Sequence, residues 1–156
     1  RDGTGDCCCA RGGCWGLVPR GAMLESARCV VQLYGTPRAT VANQLAGAQH
    51  VLLDIGVQGA MQIRRLRPGA VFVFLMPPSW ESLERRLADR GTETAETARK
   101  RLAAARAEME GAADYDYILV NDDLGRCVET FRAVVTAAEH SAKHMQDFIK
   151  EVTSHA

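Results

Sequence analysis

The sequence has no surplus of either charge, since Lys+Arg and Asp+Glu both number 19. A balanced chain carries no broad positive field to hold a nucleic-acid backbone or an anionic membrane surface, so small ligands are the expected partners. Long hydrophobic runs are missing too. The longest, residues 70–76, has the length of a strand and stops at Pro77-Pro78, far short of the roughly 20 residues needed to span a bilayer. No basic segment followed by an apolar stretch opens the chain, so nothing marks it for export, and a cytoplasmic protein is expected. Cysteine lacks order rather than number. Six are present, but Cys7, Cys8 and Cys9 are consecutive while Cys29 and Cys127 stand alone, which is no disulfide framework. A zinc site at Cys7, Cys8, Cys9 and Cys14 would need regular C-x-x-C spacing or nearby histidines, and residues 1–20 supply neither. These cysteines read as free thiols. There is no internal repeat.

What is present suits one domain: 156 residues, 47% of them hydrophobic, are enough for a core of ordinary size. Residues 1–20 are rich in Gly, Cys and Arg, follow no period of 2 or 3.6, and are expected to be an appended, disordered segment. Leu17-Val18-Pro19-Arg20-Gly21 resembles a protease-cleavage linker, and a chance match is the other reading. From residue 21 the text becomes regular. Thr36 before Pro37 offers a hydroxyl cap and a proline at the first helical position, predicting a short helix through Val41 and Leu45 to Gly47. Residues 50–55 form a β-branched, apolar run that predicts a buried parallel strand, and 57–66 have helical spacing up to Pro68-Gly69. A second strand is expected at 70–76. Ser79 can cap a helix carrying Trp80, Leu83 and Leu87, which should end near Arg90-Gly91. Residues 92–113, rich in Ala, Glu, Arg and Lys, predict a solvated helix lightly tied to the core. A third strand at 115–120, a turn at 121–123 and a long amphipathic helix over 124–149 complete the pattern. Strands alternating with helices predict an α/β fold, a parallel sheet flanked by helices. In such sheets ligands lie beyond the carboxyl ends of the strands, which directs attention to residues 54–59, to Pro77-Pro78 and to Asn121-Asp122.

Three polar groups fall in this framework. Glu25, Tyr34, Gly35 and Thr36 combine a carboxylate, a phenol and a hydroxyl able to recognise donors on a purine and a phosphate oxygen, although Tyr-Gly-Thr-Pro is also an ordinary turn. Arg90-Gly91-Thr92-Glu93-Thr94, followed by Arg99, Arg101 and Arg106, reads alternatively as a solvated charged face. Asn121-Asp122-Asp123 by itself is a turn.

Taken in order, these pieces resemble guanylate kinase over nearly everything from residue 21 to about 138. Gly-Ala-Met-Leu-Glu25-Ser-Ala is similar to the family's Gly-x-Phe-Leu-Glu-x-Ala, and Tyr34-Gly35-Thr36-Pro37 matches its base-side turn. Val51-Leu-Leu-Asp-Ile-Gly-Val-Gln-Gly59-Ala, Pro77-Pro78-Ser79, Arg90-Gly91-Thr92-Glu93 and Asn121-Asp122-Asp123-Leu124 follow in family order. The resemblance implies an incomplete P-loop kinase-like fold with a helical lid: a GMP-binding part over 21–48, core over 49–90 and 114–150, and a lid over 90–113. It implies that Glu25 and Thr36 contact guanine, that Tyr34 binds the GMP phosphate, that Arg90 and Arg101 close over the phosphates, and that Asn121 and Asp122 face the adenine of ATP. Asp54 stands where an acid would help place Mg²⁺, directly or through water. The partners implied are GMP and ATP with Mg²⁺.

The departures matter as well. Family members usually carry an acid where this chain has Gly56, and a glycine-asparagine pair at Val31-Gln32. The phosphate-cradling motif Gly-x-x-x-x-Gly-Lys-[Ser/Thr] occurs nowhere in the sequence. Expected, then, is a guanylate kinase represented by a truncated chain with little or no activity alone; the alternative is a non-catalytic guanylate kinase-like binding module. Another nucleoside monophosphate kinase fits less well, because the glutamate and Tyr-Gly-Thr are guanylate-like.

Overall fold

The computed structural model describes residues 21–29, 32–47, 50–89 and 95–154, without the side chains of 28, 29, 32–34, 95 and 98. The expectations for residues 1–20 and for Arg90 lie outside the described residues. The chain forms two compact units, Arg1–Ala70 and Val71–Ala156. Among the described residues no helix is long and apolar enough to cross a membrane.

In the first unit, strands β1 (Met23–Cys29) and β2 (Gln32–Pro37) pair as an antiparallel hairpin that opposes Glu25 to Thr36, Ser26 to Gly35 and Ala27 to Tyr34. The pairing shifts register between Met23 and Glu25. Helix α1 (Arg38–Ala46) follows, burying Val41 and ending at Gly47, whose N–H reaches the Asn43 and Gln44 carbonyls. The sequence suggested a turn at Tyr34-Gly35-Thr36 with Thr36 as helix cap. Instead these residues are strand, Pro37 occupies the cap position without a side-chain bond, and the Thr36 hydroxyl donates to Glu25. Cross-strand pairing brings that hydroxyl to a carboxylate, a stronger acceptor than neutral partners offer.

The strand expected at 50–55 is not formed. Burial still alternates there, with Val51, Leu53 and Ile55 half-buried and Leu52 and Asp54 exposed, as the period-2 pattern requires. A strand also needs a neighbour to take its N–H and C=O groups, and none pairs with this segment among the described residues. Helix α2 (Val57–Leu66) has the expected bounds and buries Gly59, Ala60 and Ile63. Its last turn closes through Arg67 N–H to the Ile63 carbonyl, just before Pro68.

The second unit is built on β3 (Val73–Met76) and β4 (Tyr117–Val120), which pair in parallel from Val73–Tyr117 to Met76–Val120. Both strands are shorter than expected. Below them the Asp116 carboxylate accepts from the Phe72 N–H at 2.8 Å, and the Phe72 carbonyl accepts from the Asp116 and Tyr117 N–H groups. The Tyr115 ring stands edge-on to Phe72 and Phe74, centroids 6.4 and 5.1 Å away. Helix α3 (Trp80–Asp89) begins at Ser79, whose hydroxyl accepts from the Ser82 N–H. Helix α4 (Ala95–Glu110) continues into a 3₁₀ turn at Gly111–Asp114 that buries Ala112. Asp123 caps helix α5 (Leu124–Glu139), which buries the free thiol of Cys127.

One continuous helix over 124–149 is replaced by two, α5 and α6 (Gln146–Ser154). The Ser141 hydroxyl donates to the Ala138 carbonyl at 2.7 Å. His144 also meets that carbonyl through Nδ1, at 2.9 Å. The Ser141 backbone N–H takes the same carbonyl at 3.1 Å, so a tight turn reinforced by two side chains replaces the i+4 N–H that a continuing helix would supply. The α/β class is as expected: a small parallel sheet with helices, six of them α-helical among the described residues.

Candidate functional site

In the first unit the site begins with the hairpin ladder. Directly opposed residues of an antiparallel pair share a face, and alternate residues along each strand return to it, so positions 25, 27, 34 and 36 lie on one face. There Glu25, only 4% exposed, accepts a 2.8 Å hydrogen bond at Oε1 from the Thr36 hydroxyl. Gly35 is required by close approach rather than by a turn, because a Cβ there would sit 2.8 Å from the Glu25 carbonyl and against the Met23 methyl. Tyr34 joins the ladder through its backbone, opposite Ala27, and its side chain lies outside the described residues.

Helix α2 supplies the other wall. A Cβ built on Gly59 would stand 2.5 Å from Glu25 Oε2, so the carboxylate rests directly on the first turn of α2. That turn has no acidic residue of its own, and its N–H groups and dipole favour a negative charge, which Glu25 brings from β1. One turn further, the Gln62 side-chain amide bonds both backbone polar groups of Ser26: it accepts from the N–H at 3.1 Å and donates to the C=O at 2.8 Å. Gly59 stood out in the sequence only as the end of the stretch 54–59 and as one glycine in a motif, with no role of its own. Gln62 did not stand out, because a glutamine on a helix carries no signal of what it will meet.

Asp54 and Gly56, in the segment leading into α2, are exposed. No other groups crowd Gly56, whose Cβ position has nothing within 4 Å. Among the described residues no cluster of three or more His, Cys, Asp or Glu side chains could hold a metal. Mg²⁺ is usually held by one or two carboxylates together with substrate phosphates and water, so a single exposed Asp54 suits an ion arriving with a nucleotide.

In the second unit, Asn121 and Asp122 lie at the carboxyl end of β4. The Asn121 N–H bonds the Met76 carbonyl at 2.8 Å, and its own carbonyl accepts from Arg86 Nη2 of α3 at 2.8 Å. Arg86 was not anticipated as part of this group. Asp122 Oδ1 accepts from the Asp123 N–H at 2.6 Å and Oδ2 lies 3.3 Å from Arg126. The backbone N–H and then Arg126 hold this carboxyl below its usual range, partly opposed by desolvation. Asp123 Oδ1 in turn caps α5 through the Arg126 N–H at 2.9 Å. Of the two arginines expected to act together, Arg101 lies half-buried on α4.

Residues 17–138 match the family model described as guanylate kinase. The chain belongs to the guanylate kinase family. It is 44% identical over 122 residues to a guanylate kinase of Dechloromonas aromatica, covering 78% of this chain and 60% of that protein. With a guanylate kinase of Thermus thermophilus it shares 43% over 134 residues, 86% of this chain and 61% of the relative. This chain of the guanylate kinase family thus spans about 60% of the length of the curated relatives it matches. The crystal structure of guanylate kinase from Anaplasma phagocytophilum superposes with a TM-score of 0.78 at 24% identity, over 97% of this chain and 76% of that one, which shows a shared fold.

Proposed function

We propose that this chain provides the GMP-binding part and lid of a guanylate kinase, the enzyme class that moves a phosphoryl group from ATP to GMP and yields ADP and GDP. The observation carrying this reading is the buried Glu25–Thr36 pair resting on the first turn of α2. The Thr36 hydroxyl donates its hydrogen bond to Glu25, so its oxygen and Glu25 Oε2 remain as neighbouring acceptors. Guanine presents adjacent donors, its ring N1–H and 2-amino group, and adenine does not. A pocket built from buried acceptors rejects a base that leaves them unpaired. In this reading Tyr34 holds the GMP phosphate, and Arg90 and Arg101, on residues 90–113, close over the phosphates. Asn121 and Asp122 serve the adenine side. Phosphoryl transfer demands positioning and charge neutralisation more than covalent chemistry, and a closing lid excludes water. Mg²⁺ bound with ATP would neutralise phosphate charge, with Asp54 supporting it through water.

By itself the chain is expected to be a poor kinase, because the sequence has no Gly-x-x-x-x-Gly-Lys-[Ser/Thr] to cradle the donor phosphates. GMP phosphorylation within about tenfold of ordinary enzyme rates of roughly 1–100 s⁻¹ would refute that expectation. A non-catalytic binding module is the second reading, favoured by Gly56, where the family usually has an acid. Calorimetric titration with GMP separates the two: saturable micromolar binding supports the nucleotide site, and millimolar or absent binding supports the module.

A further inference from the structure

We infer that Gly59 and Gln62, one turn apart on α2, are positioning residues that hold the Glu25 carboxylate in its base-recognising place. This rests on the reading of Glu25 as the guanine contact. Residues i and i+3 of a helix share a face, and this face meets β1 at two consecutive residues. Gln62 grips the backbone of Ser26 with a donor and an acceptor at once, 2.8 and 3.1 Å. A side-chain amide offers both functions in one plane, so it does for the outer edge of β1 what a further strand would do. That fixes the backbone immediately after Glu25 against α2.

Gly59 then decides where the carboxylate can go. Glu25 is nearly closed from solvent, Oε1 is tied to Thr36, and Oε2 occupies the space a Cβ on residue 59 would fill, at 2.5 Å. Its Cδ would be 3.1 Å from that Cβ. Gly59 is helical, so no unusual backbone angle explains the glycine; alanine is ordinarily the better helix residue. Absence of a side chain is therefore explained by the carboxylate above it. A methyl there would push Oε2 off the helix and turn the acceptor pair away from its purine.

The test uses the full chain and four variants: Gly59→Ala, Gln62→Met, Glu25→Ala and the double Glu25→Ala/Gly59→Ala. GMP and inosine 5′-monophosphate, which lacks the 2-amino group, are titrated against each single variant. Gly59→Ala and Gln62→Met are each expected to lower the GMP over inosine monophosphate preference on the order of tenfold, a ratio that reduced folding alone does not move. Thermal melting supplies a readout independent of ligand. Gly59→Ala should lower Tm when Glu25 is present and raise it in the Glu25→Ala background, where only helix propensity remains. An unchanged purine preference in both Gly59→Ala and Gln62→Met, or a Tm raised by Gly59→Ala in both backgrounds, overturns the inference. If the parent chain binds neither nucleotide, the base-site reading falls and its positioning role with it, while the sign reversal in Tm still decides whether Gly59 makes room for Glu25.

Discussion

Thr36 and Gly56 illustrate how much of the site depends on single atoms. The Thr36 hydroxyl donates to a carboxylate that is 4% exposed. Thr36→Val keeps a β-branched residue of the same size in β2 and removes only that donor. Leaving a buried acceptor short of a partner costs about 1–3 kcal/mol, so urea unfolding should show a loss of that size, and GMP affinity should fall with it. Gly56 presents the opposite case, a position where something can be added. It precedes α2 as its cap residue with φ −73° and open space around its Cβ, so an aspartate fits without strain. Gly56→Asp should strengthen GMP binding on the order of ten- to a hundredfold, the worth of one charge-assisted hydrogen bond. Should titration show unchanged affinity while Tm rises, the introduced carboxylate would be acting as a helix cap only.

Elements join these atoms, and their ends carry most of the polar chemistry. Asp122 and Asp123 divide the work at the start of α5: Asp123 caps the helix, and Asp122 accepts from the Asp123 N–H and pairs with Arg126. Because the folded chain holds the Asp122 carboxyl below the ordinary aspartate value of 3.8, its contribution to stability is present above that value and is lost as pH falls through the lower folded one. Carbon-detected NMR titration should place its midpoint below that of an aspartate in an unstructured peptide, and Arg126→Ala should move the midpoint upward. The same group was legible in sequence as a turn at a strand end, while the cap that Asp123 provides for α5 came from the structure. The hairpin was not legible. Met23, Leu24 and Glu25 are all buried, so the run does not alternate, and the ligand-like residues of Tyr34-Gly35-Thr36 look like a turn until Ser26 and Glu25 are placed opposite them.

At the scale of the whole molecule, the second unit leaves much apolar surface in water. Leu75 is 57% exposed, Ile118 51%, Val120 49% and Leu124 74%, although three of these belong to strands. Two strands give little shelter, and sheets usually need a third strand or covering helices to be stable. Exposed apolar surface of this kind binds apolar dyes and promotes association. The chain is therefore expected to enhance 1-anilinonaphthalene-8-sulfonate fluorescence under native conditions, and Ile118→Thr with Val120→Thr should reduce that signal while β3–β4 pairing is retained. A dye signal no greater than that of a fully packed globular protein would contradict the exposed surface.

The sequence alone determined the family, the α/β class, the bounds of α2, the cap at Ser79 and the turn at 121–123, because motif order, helical periodicity and turn and capping chemistry are written in neighbouring residues. Only the tertiary structure decided what Thr36, Gly59 and Gln62 do. It also left residues 50–55 without a strand ladder among the described residues, despite their strand-like text. The physical reason is common to all four: a hydroxyl, a missing Cβ, a side-chain amide and a row of backbone N–H groups acquire a role only from the group opposite them. For Thr36, Gly59 and Gln62 those groups are Glu25 and Ser26, distant in sequence.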